Sequence, residues 1–247
     1  MDQLELHLYA DADFAGCPRT LRSTSGAHLN VEAALTCFPQ TCLFGRQTSM
    51  ANSTPEAEIV SLYTALKRVM LPAMEFYDAL WKRKYTAVVH EDNTGTIQIA
   101  STGINKTMRW LGRSHVISIR FLYEKLGTGD EQKEITLVYT RSEWMSADIY
   151  TKSFDSAAKW EQALELINIC EDDKVAELIK RRQMIYQKMR KDVIVHPNNV
   201  RPRQATEAAN RVHCRREKGE HITVGAGVQA ADEAGRIVRS KIKQPGN

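Results

Sequence analysis

The chain begins with an alternation of apolar and polar residues that is typical of a half-buried β-strand. Leu4, Leu6 and Leu8 alternate with polar neighbours, which places the three leucines on one face of a strand. Two further runs, 23–36 and 41–45, combine turn residues with apolar positions. Because the three segments follow one another closely, we expect a strand meander at the start of the fold.

A helical period replaces the alternation in the stretch 52–70, where apolar residues recur every three or four positions. Ser53 or Thr54 can cap this helix, and Pro55 suits its first turn. Pro72 lacks a backbone N–H, so we expect it to kink or end the helix.

The following hundred residues alternate between strand and helix patterns. The strand patterns cover 85–93 and 134–140, and the helical patterns cover 94–101, 114–126, 142–152 and 155–169. A succession of strands and helices of this kind predicts an α/β fold, with helices packed on a mixed sheet.

The character of the sequence changes near residue 170. The stretch 172–191 fits a solvated basic helix, and 219–247 has too few large apolar residues to build a core. We therefore expect one α/β domain over residues 1–170, followed by a basic helical or disordered tail over 171–247.

Composition limits the cellular setting. Hydrophobic residues make up 43% of the chain, and no apolar run approaches the roughly 18 residues of a membrane span. The sequence does not begin with a basic region followed by an apolar stretch, so we expect no secretory signal. The five cysteines are odd in number and form no C-x-x-C pair, which favours reduced thiols. We expect an intracellular protein, in the cytoplasm or the nucleus, without membrane contact.

The net charge of +4 conceals an asymmetry. The first 173 residues carry 17 Lys/Arg and 23 Asp/Glu, whereas the remaining residues carry 17 Lys/Arg and 7 Asp/Glu. A basic tail on an acidic body is suited to contact with nucleic acid, although a merely solvated tail explains the charge equally well.

Four carboxylates occupy the ends of these predicted elements. Asp11 ends the first strand, Glu58 lies in the first turn of the long helix, Asp92 ends the strand at 85–93, and Asp148 lies in a late helix. Carboxylates that converge repel each other, and divalent cations relieve that repulsion. Two Mg²⁺ ions about 4 Å apart, or Mn²⁺ in their place, would suit hydrolysis of a phosphodiester.

Six motifs occur in series and carry a family resemblance: YADADFAG (9–16), RSTSG (22–26), STPEAEI (53–59), HEDNTGTIQIA (90–100), GRSHVISIR (112–120) and SADIYTK (146–152). Over residues 4–152 the chain resembles the ribonuclease H domain of copia-type LTR retrotransposon Pol polyproteins. The resemblance implies a ribonuclease H-like fold, a five-stranded mixed sheet flanked by helices. It also implies Mg²⁺-dependent cleavage of the RNA strand of RNA–DNA hybrids, with the reverse transcriptase and integrase regions of a longer polyprotein as partners.

Carried over to this sequence, the resemblance assigns Asp11, Glu58, Asp92 and Asp148 as catalytic metal ligands. Asp11 and Asp92 would share the metals, Glu58 would complete one site, and Asp148 would complete the other. Asp13 and Glu56 are the alternatives within the DAD and EAE sequences.

Several polar residues are candidates for substrate contact. Hydroxyl and backbone groups near a phosphate are offered by Ser23, Thr24, Ser25 and Gly26. Asn93 follows a proposed catalytic acid and would hydrogen-bond a ribose 2′-hydroxyl, the group that separates RNA from DNA. Arg113 and His115 would face the hybrid backbone, although a structural role for His115 is an equal alternative.

Two other functions remain open. A catalytically weak or inactive retrotransposon remnant would keep the fold and bind nucleic acid, and the stretch 41–50 lacks the Trp usual in the family. A transposase or integrase core also clusters acids on a sheet, but it ends its set with Glu, whereas this chain supplies Asp148.

Overall fold

The sheet begins with three antiparallel strands that form a meander. In the computed structural model, β1 (Glu5–Asp13) pairs with β2 (Thr24–Ala33), and β2 pairs with β3 (Thr36–Arg46). The predicted meander is therefore confirmed, with a third strand longer than expected. The structure describes residues 4–81, 85–105, 108, 110–127 and 133–195.

Parallel strands extend the sheet on the other side of β1. Strand β4 (Thr86–Glu91) pairs with β1, β6 (Ile135–Tyr139) pairs with β4, and β5 (Leu126–Gly127) pairs with β6, all in parallel. The order is β3-β2-β1-β4-β6-β5. The sheet thus has six strands rather than the five expected, because the two-residue β5 is too short to produce an alternating pattern in the sequence.

A long helical segment follows the meander. Helix α1 (Thr54–Ala65) begins at Ser53, whose side chain accepts a hydrogen bond from the Glu56 N–H. Pro72 does not end the helix: the backbone widens into a π-helical stretch, Leu66–Met70, and continues as α2 (Leu71–Leu80). A π-helical turn immediately before the proline accommodates its ring and its missing N–H.

Further helices complete the fold: α3 (Thr94–Thr102), α4 (Leu111–Ser114), α5 (Ile119–Lys125), α6 (Ala157–Leu166) and α7 (Val175–Val195). The helix predicted over 114–126 is confined to α5, because Val116 has a left-handed backbone with φ 57°. The helix predicted over 142–152 is also wrong in type. Two 3₁₀ turns, Ser142–Trp144 and Ser146–Tyr150, occupy that stretch.

The main hydrophobic core lies between α1 and one face of the sheet. Leu6, Leu8 and Ala10 of β1 are fully buried, and they belong to one cluster with Ile59 and Leu62 of α1. Each buried leucine contributes about 2 kcal/mol to folding. This layer fixes α1 across the central strands of the sheet.

The opposite face of β1 is covered by the 3₁₀ turns and by α7. Tyr9 packs with Met145, Ala147 and Met189. Helix α7 lies in the segment predicted as a basic tail, and the predicted helix is confirmed. The helix is solvated only in part, because Tyr186 and Met189 on one side of it are buried.

The domain boundary near residue 170 remains a prediction. Contacts group the chain into one unit through Arg201 and a second from Pro202. The predicted disorder of the tail beyond residue 195 lies outside the described residues. Within the described part of the chain, no helix combines the length and the apolarity that crossing a bilayer requires.

Beneath α7, polar side chains form a buried chain of hydrogen bonds. The Tyr186 hydroxyl donates to Glu5 Oε2 (3.0 Å), His7 Nδ1 is hydrogen-bonded to His90 Nε2 (2.8 Å), and His90 Nδ1 is hydrogen-bonded to Thr140 Oγ1 (2.7 Å). Burial holds the pKa of His90 well below its usual range. A neutral His90 thus joins β1, β4 and the end of β6.

His28 makes the stability of this face depend on pH. Its Nδ1 is hydrogen-bonded to the Tyr150 hydroxyl (2.8 Å), and burial lowers its pKa to about 4. As pH falls, the unfolded chain therefore binds a proton at His28 before the folded chain does. The contribution of neutral His28 to the free energy of unfolding is complete above about pH 6.5 and is lost as pH falls towards 4. We expect His28→Gln to reduce this loss by about 1.4 kcal/mol per pH unit within that window.

Urea unfolding between pH 7 and pH 4.5 gives the difference in free energy of unfolding between the parent and His28→Gln at each pH. The contributions of the titrating groups that both proteins share cancel in this difference. A difference that stays constant over this range would show that His28 does not remain neutral in the fold.

Candidate metal centre

The parallel pairing of β1 and β4 brings two acids to one edge of the sheet. Tyr9 of β1 lies opposite His90 of β4. Asp11 and Asp92 each follow two residues later, so they extend from the same edge of neighbouring strands. The parallel register therefore places the two acids side by side at this edge.

Helix α1 adds the third acid. The Ser61 hydroxyl donates to the backbone oxygen of Asp11 (2.7 Å) and lies 3.2 Å from that of Gly26, which fixes the helix against β1 and β2. Glu58, one turn earlier, then points at the strand ends. One carboxylate oxygen from each of Asp11, Glu58 and Asp92 lies within 4.8 Å of the others. We call these three residues the acidic triad.

The two sequence alternatives lie elsewhere. Glu56 is fully buried, and its carboxylate accepts hydrogen bonds from the Asn52 N–H (3.1 Å) and the Trp110 indole N–H (3.2 Å). Asp13 turns towards Gly16, in the loop that joins β1 to β2. The geometry therefore favours Asp11 and Glu58 in the triad.

Asp148 lies beside the triad and is joined to it by Lys152. The Lys152 ammonium nitrogen is 2.7 Å from Asp148 Oδ2 and 3.4 Å from Asp11 Oδ1. All four sequence-predicted acids thus belong to one region, but the fourth reaches the triad through an ammonium group rather than through a shared position.

Burial and mutual repulsion disfavour full ionisation of this region. Burial, followed by the charges of Glu91, Asp11 and Asp92, raises the pKa of Glu58 to about 11. Burial, followed by the charge of Asp11, raises the pKa of Asp148 to about 7. Negative charge at this edge of the sheet is therefore undercompensated by the protein itself.

Three oxygens in this region lack hydrogen-bond donors. Glu58 Oε2, Glu91 Oε2 and Asp148 Oδ1 are buried, and none has a partner among the described residues. Buried polar atoms are normally satisfied, so these oxygens point to an absent cation. Carboxylate oxygens are the ligands that Mg²⁺ and Mn²⁺ prefer, and the acidic triad can hold such an ion.

Sequence reasoning missed several functional neighbours. Glu91 is a fifth, fully buried acid whose pKa burial holds well above its usual range. The Thr151 hydroxyl donates to Asp11 Oδ2, and the Ser142 hydroxyl donates to Asp92 Oδ2. A signal existed for Glu91 in its position directly before Asp92, whereas the two hydroxyls meet their acids only through long-range folding.

The residues predicted to contact a phosphate from β2 make structural contacts. The fully buried Ser23 accepts a hydrogen bond from the Ala15 N–H (3.1 Å), and Ser25 accepts one from Gln47 Nε2 (3.0 Å). Thr24, at the start of β2, is half-buried. Their proposed phosphate contacts remain predictions.

The other three substrate candidates differ in exposure. The Asn93 side chain caps α3 by accepting a hydrogen bond from the Thr96 N–H (3.1 Å). Arg113 is exposed on α4. The His115 side chain is only 1% exposed, and its Nε2 lies 3.5 Å from Glu56 Oε1, which supports the structural alternative for this histidine.

Gly26 is required by close packing. A Cβ atom at this position would lie 2.7 Å from Thr151 Cγ2 and 3.1 Å from the Ala147 oxygen, whereas a Cβ at Gly45 on β3 would meet nothing within 4 Å. We expect Gly26→Ala to lower the free energy of unfolding by about 1–3 kcal/mol, because it forces the turn that carries Asp148 away from β2.

The matched control Gly45→Ala should leave stability unchanged or raise it slightly. Urea unfolding of both variants measures the effect. Equal stability of the two would contradict the close contact at Gly26.

Removal of Glu58 tests the triad without an assay of activity. We expect Mg²⁺ or Mn²⁺ to raise the melting temperature of the parent. At an ion concentration a hundredfold above Kd, binding adds about 2.7 kcal/mol to the free energy of unfolding. Glu58→Gln should lose this shift, because an amide cannot become an anionic ligand, and it should keep its stability in EDTA, because burial and neighbouring acids raise the pKa of Glu58 to about 11 and leave it neutral without metal.

Glu75→Gln, an exposed site on α2, is the control and should keep the full shift. Differential scanning fluorimetry with and without the ions measures both variants. A normal shift in Glu58→Gln would exclude Glu58 as a ligand.

Comparisons with known proteins do not assign this chain to a family. No protein-family model matches the chain, and no solved structure matches it either.

Proposed function

We propose that this chain is a ribonuclease H-like enzyme that hydrolyses the RNA strand of RNA–DNA hybrids with two divalent metal ions. It would act within, or derive from, the reverse-transcription machinery of a copia-type retrotransposon. The observation that carries the proposal is the convergence of Asp11, Glu58 and Asp92 from three different elements, with Asp148 beside them.

The topology supports the same proposal. An antiparallel meander continues into parallel strands, and helices pack on this mixed sheet, as the family resemblance requires. The acids also lie on the expected elements, with Asp11 on β1, Glu58 on α1 and Asp92 directly after β4.

The protein residues would bind and orient the ions. When bound, two divalent ions activate water and stabilise the charge that develops at a phosphodiester. Asp11 belongs to the acidic triad and also shares the Lys152 ammonium group with Asp148, which suits it to bind both ions. The hydroxyls of Thr151 and Ser142 hold the carboxylates of Asp11 and Asp92 in orientation.

Selection of RNA would depend on a donor beside the metal centre. Asn93 directly follows Asp92, and its role as the cap of α3 fixes the position of its side chain. The cap uses the amide oxygen, so the amide NH₂ group is the part that we expect to reach a 2′-hydroxyl. This contact would place the RNA strand, rather than the DNA strand, over the acids.

The site assignment is tested by cleavage of a labelled RNA–DNA hybrid in Mg²⁺. We expect Asp92→Asn to lower the rate by about 10²-fold or more, because loss of a ligand removes several kcal/mol of metal stabilisation from the transition state. Asp155→Asn, at a largely exposed acid paired with Lys159, should cleave at the parental rate.

Equal cleavage by Asp92→Asn and the parent would refute the assigned site. Tight binding of the hybrid without cleavage by the parent would instead support the inactive nucleic-acid-binding remnant.

A further inference from the structure

One lysine lies among the acids of the metal centre. Lys152 follows the 3₁₀ turn Ser146–Tyr150, and its backbone N–H donates to the Asp148 oxygen (2.9 Å). This backbone bond folds the chain back, so the side chain runs towards the sheet edge. Its ammonium group then donates to Asp148 Oδ2 (2.7 Å) and lies 3.4 Å from Asp11 Oδ1.

The two sides of the metal centre are therefore unequal. Within the acidic triad, Glu58 Oε2 is buried without a hydrogen-bond partner, so an ion can be bound there without displacing a protein donor from that oxygen. Between Asp11 and Asp148, one oxygen of each carboxylate already contacts the ammonium group. A cation bound between these two carboxylates would compete with the ammonium group for them.

We propose that the Lys152 ammonium occupies the place of the second divalent ion, and that this ion binds only after Lys152 has moved away from Asp11 and Asp148. This inference rests on the proposed two-metal function. Competition from Lys152 would then set the order of metal binding: the ion of the acidic triad binds first and tightly, and the second ion binds weakly.

The side chain of Lys152 is able to leave. It is 40% exposed, in contrast to the 2% exposure of Asp11, and four flexible carbons separate its charge from the backbone. Its departure opens Asp148, whose second oxygen Oδ1 is buried without a partner. A site that is open about one-tenth of the time binds its ion about tenfold more weakly than the same site held open.

Metal titration of the 247-residue chain tests this competition without a measurement of cleavage. Isothermal titration calorimetry and Mn²⁺ electron paramagnetic resonance count the bound ions in the parent and in Lys152→Met, which keeps the length of the side chain and removes its charge. Lys159→Met is the matched control, because Lys159 pairs with the exposed Asp155 rather than with the site acids. Lys152→Gln is a second variant that keeps a hydrogen-bond donor, should the methionine variant fail to fold.

We expect one tight and one weak Mn²⁺ in the parent and in Lys159→Met. In Lys152→Met the weak ion should bind about tenfold tighter, and in Lys152→Gln it should also gain affinity. Unchanged or weakened binding of the second ion in both Lys152 variants would overturn the proposal and show that Lys152 orients Asp148 for the metal. Absence of Mn²⁺ binding in every protein would refute the metal centre itself and the competition with it.

Discussion

Repulsion among buried carboxylates at one edge of the sheet is the constraint on which this structure depends. Asp11, Glu58, Asp92, Asp148 and Glu91 lie close enough for their charges to act on one another. Carboxylates in such a position are costly unless protons or cations neutralise them. The raised pKa values of these acids and the Lys152 ammonium group, which contacts Asp11 and Asp148, both reduce this repulsion. A pair of divalent ions would reduce it further.

The remainder of the fold holds these charges in place. Burial of Leu6 and Leu8 beneath α1 fixes the helix that carries Glu58, and parallel pairing of β1 with β4 fixes the spacing of Asp11 and Asp92. On the opposite face, the turn Ser146–Tyr150 packs closely on Gly26, which sets the position of Asp148. Ordinary hydrophobic packing thus stabilises an arrangement that electrostatics opposes.

Much of this arrangement could be predicted from sequence, since alternation, helical period and caps report local structure. The meander, α1 and β4 follow from such patterns, and the four acids follow from their place at the ends of these elements. The two-residue β5 and the 3₁₀ turns could not be predicted, because they are too short to produce a period. The helix predicted over 114–126 is interrupted at Val116 by one left-handed backbone angle, which the hydrophobic pattern does not predict.

By itself, the sequence determined which carboxylates stand at the ends of core elements, because the position of an acid relative to an apolar run is a local property. The sequence preferred Glu58 to Glu56, but only the tertiary structure showed that Glu56 instead accepts hydrogen bonds from Asn52 and Trp110. The tertiary structure also placed His115 in a buried contact and Lys152 against Asp11, a residue 141 positions earlier in the chain. Contacts between residues so far apart depend on strand register and packing, which the order of residues does not display.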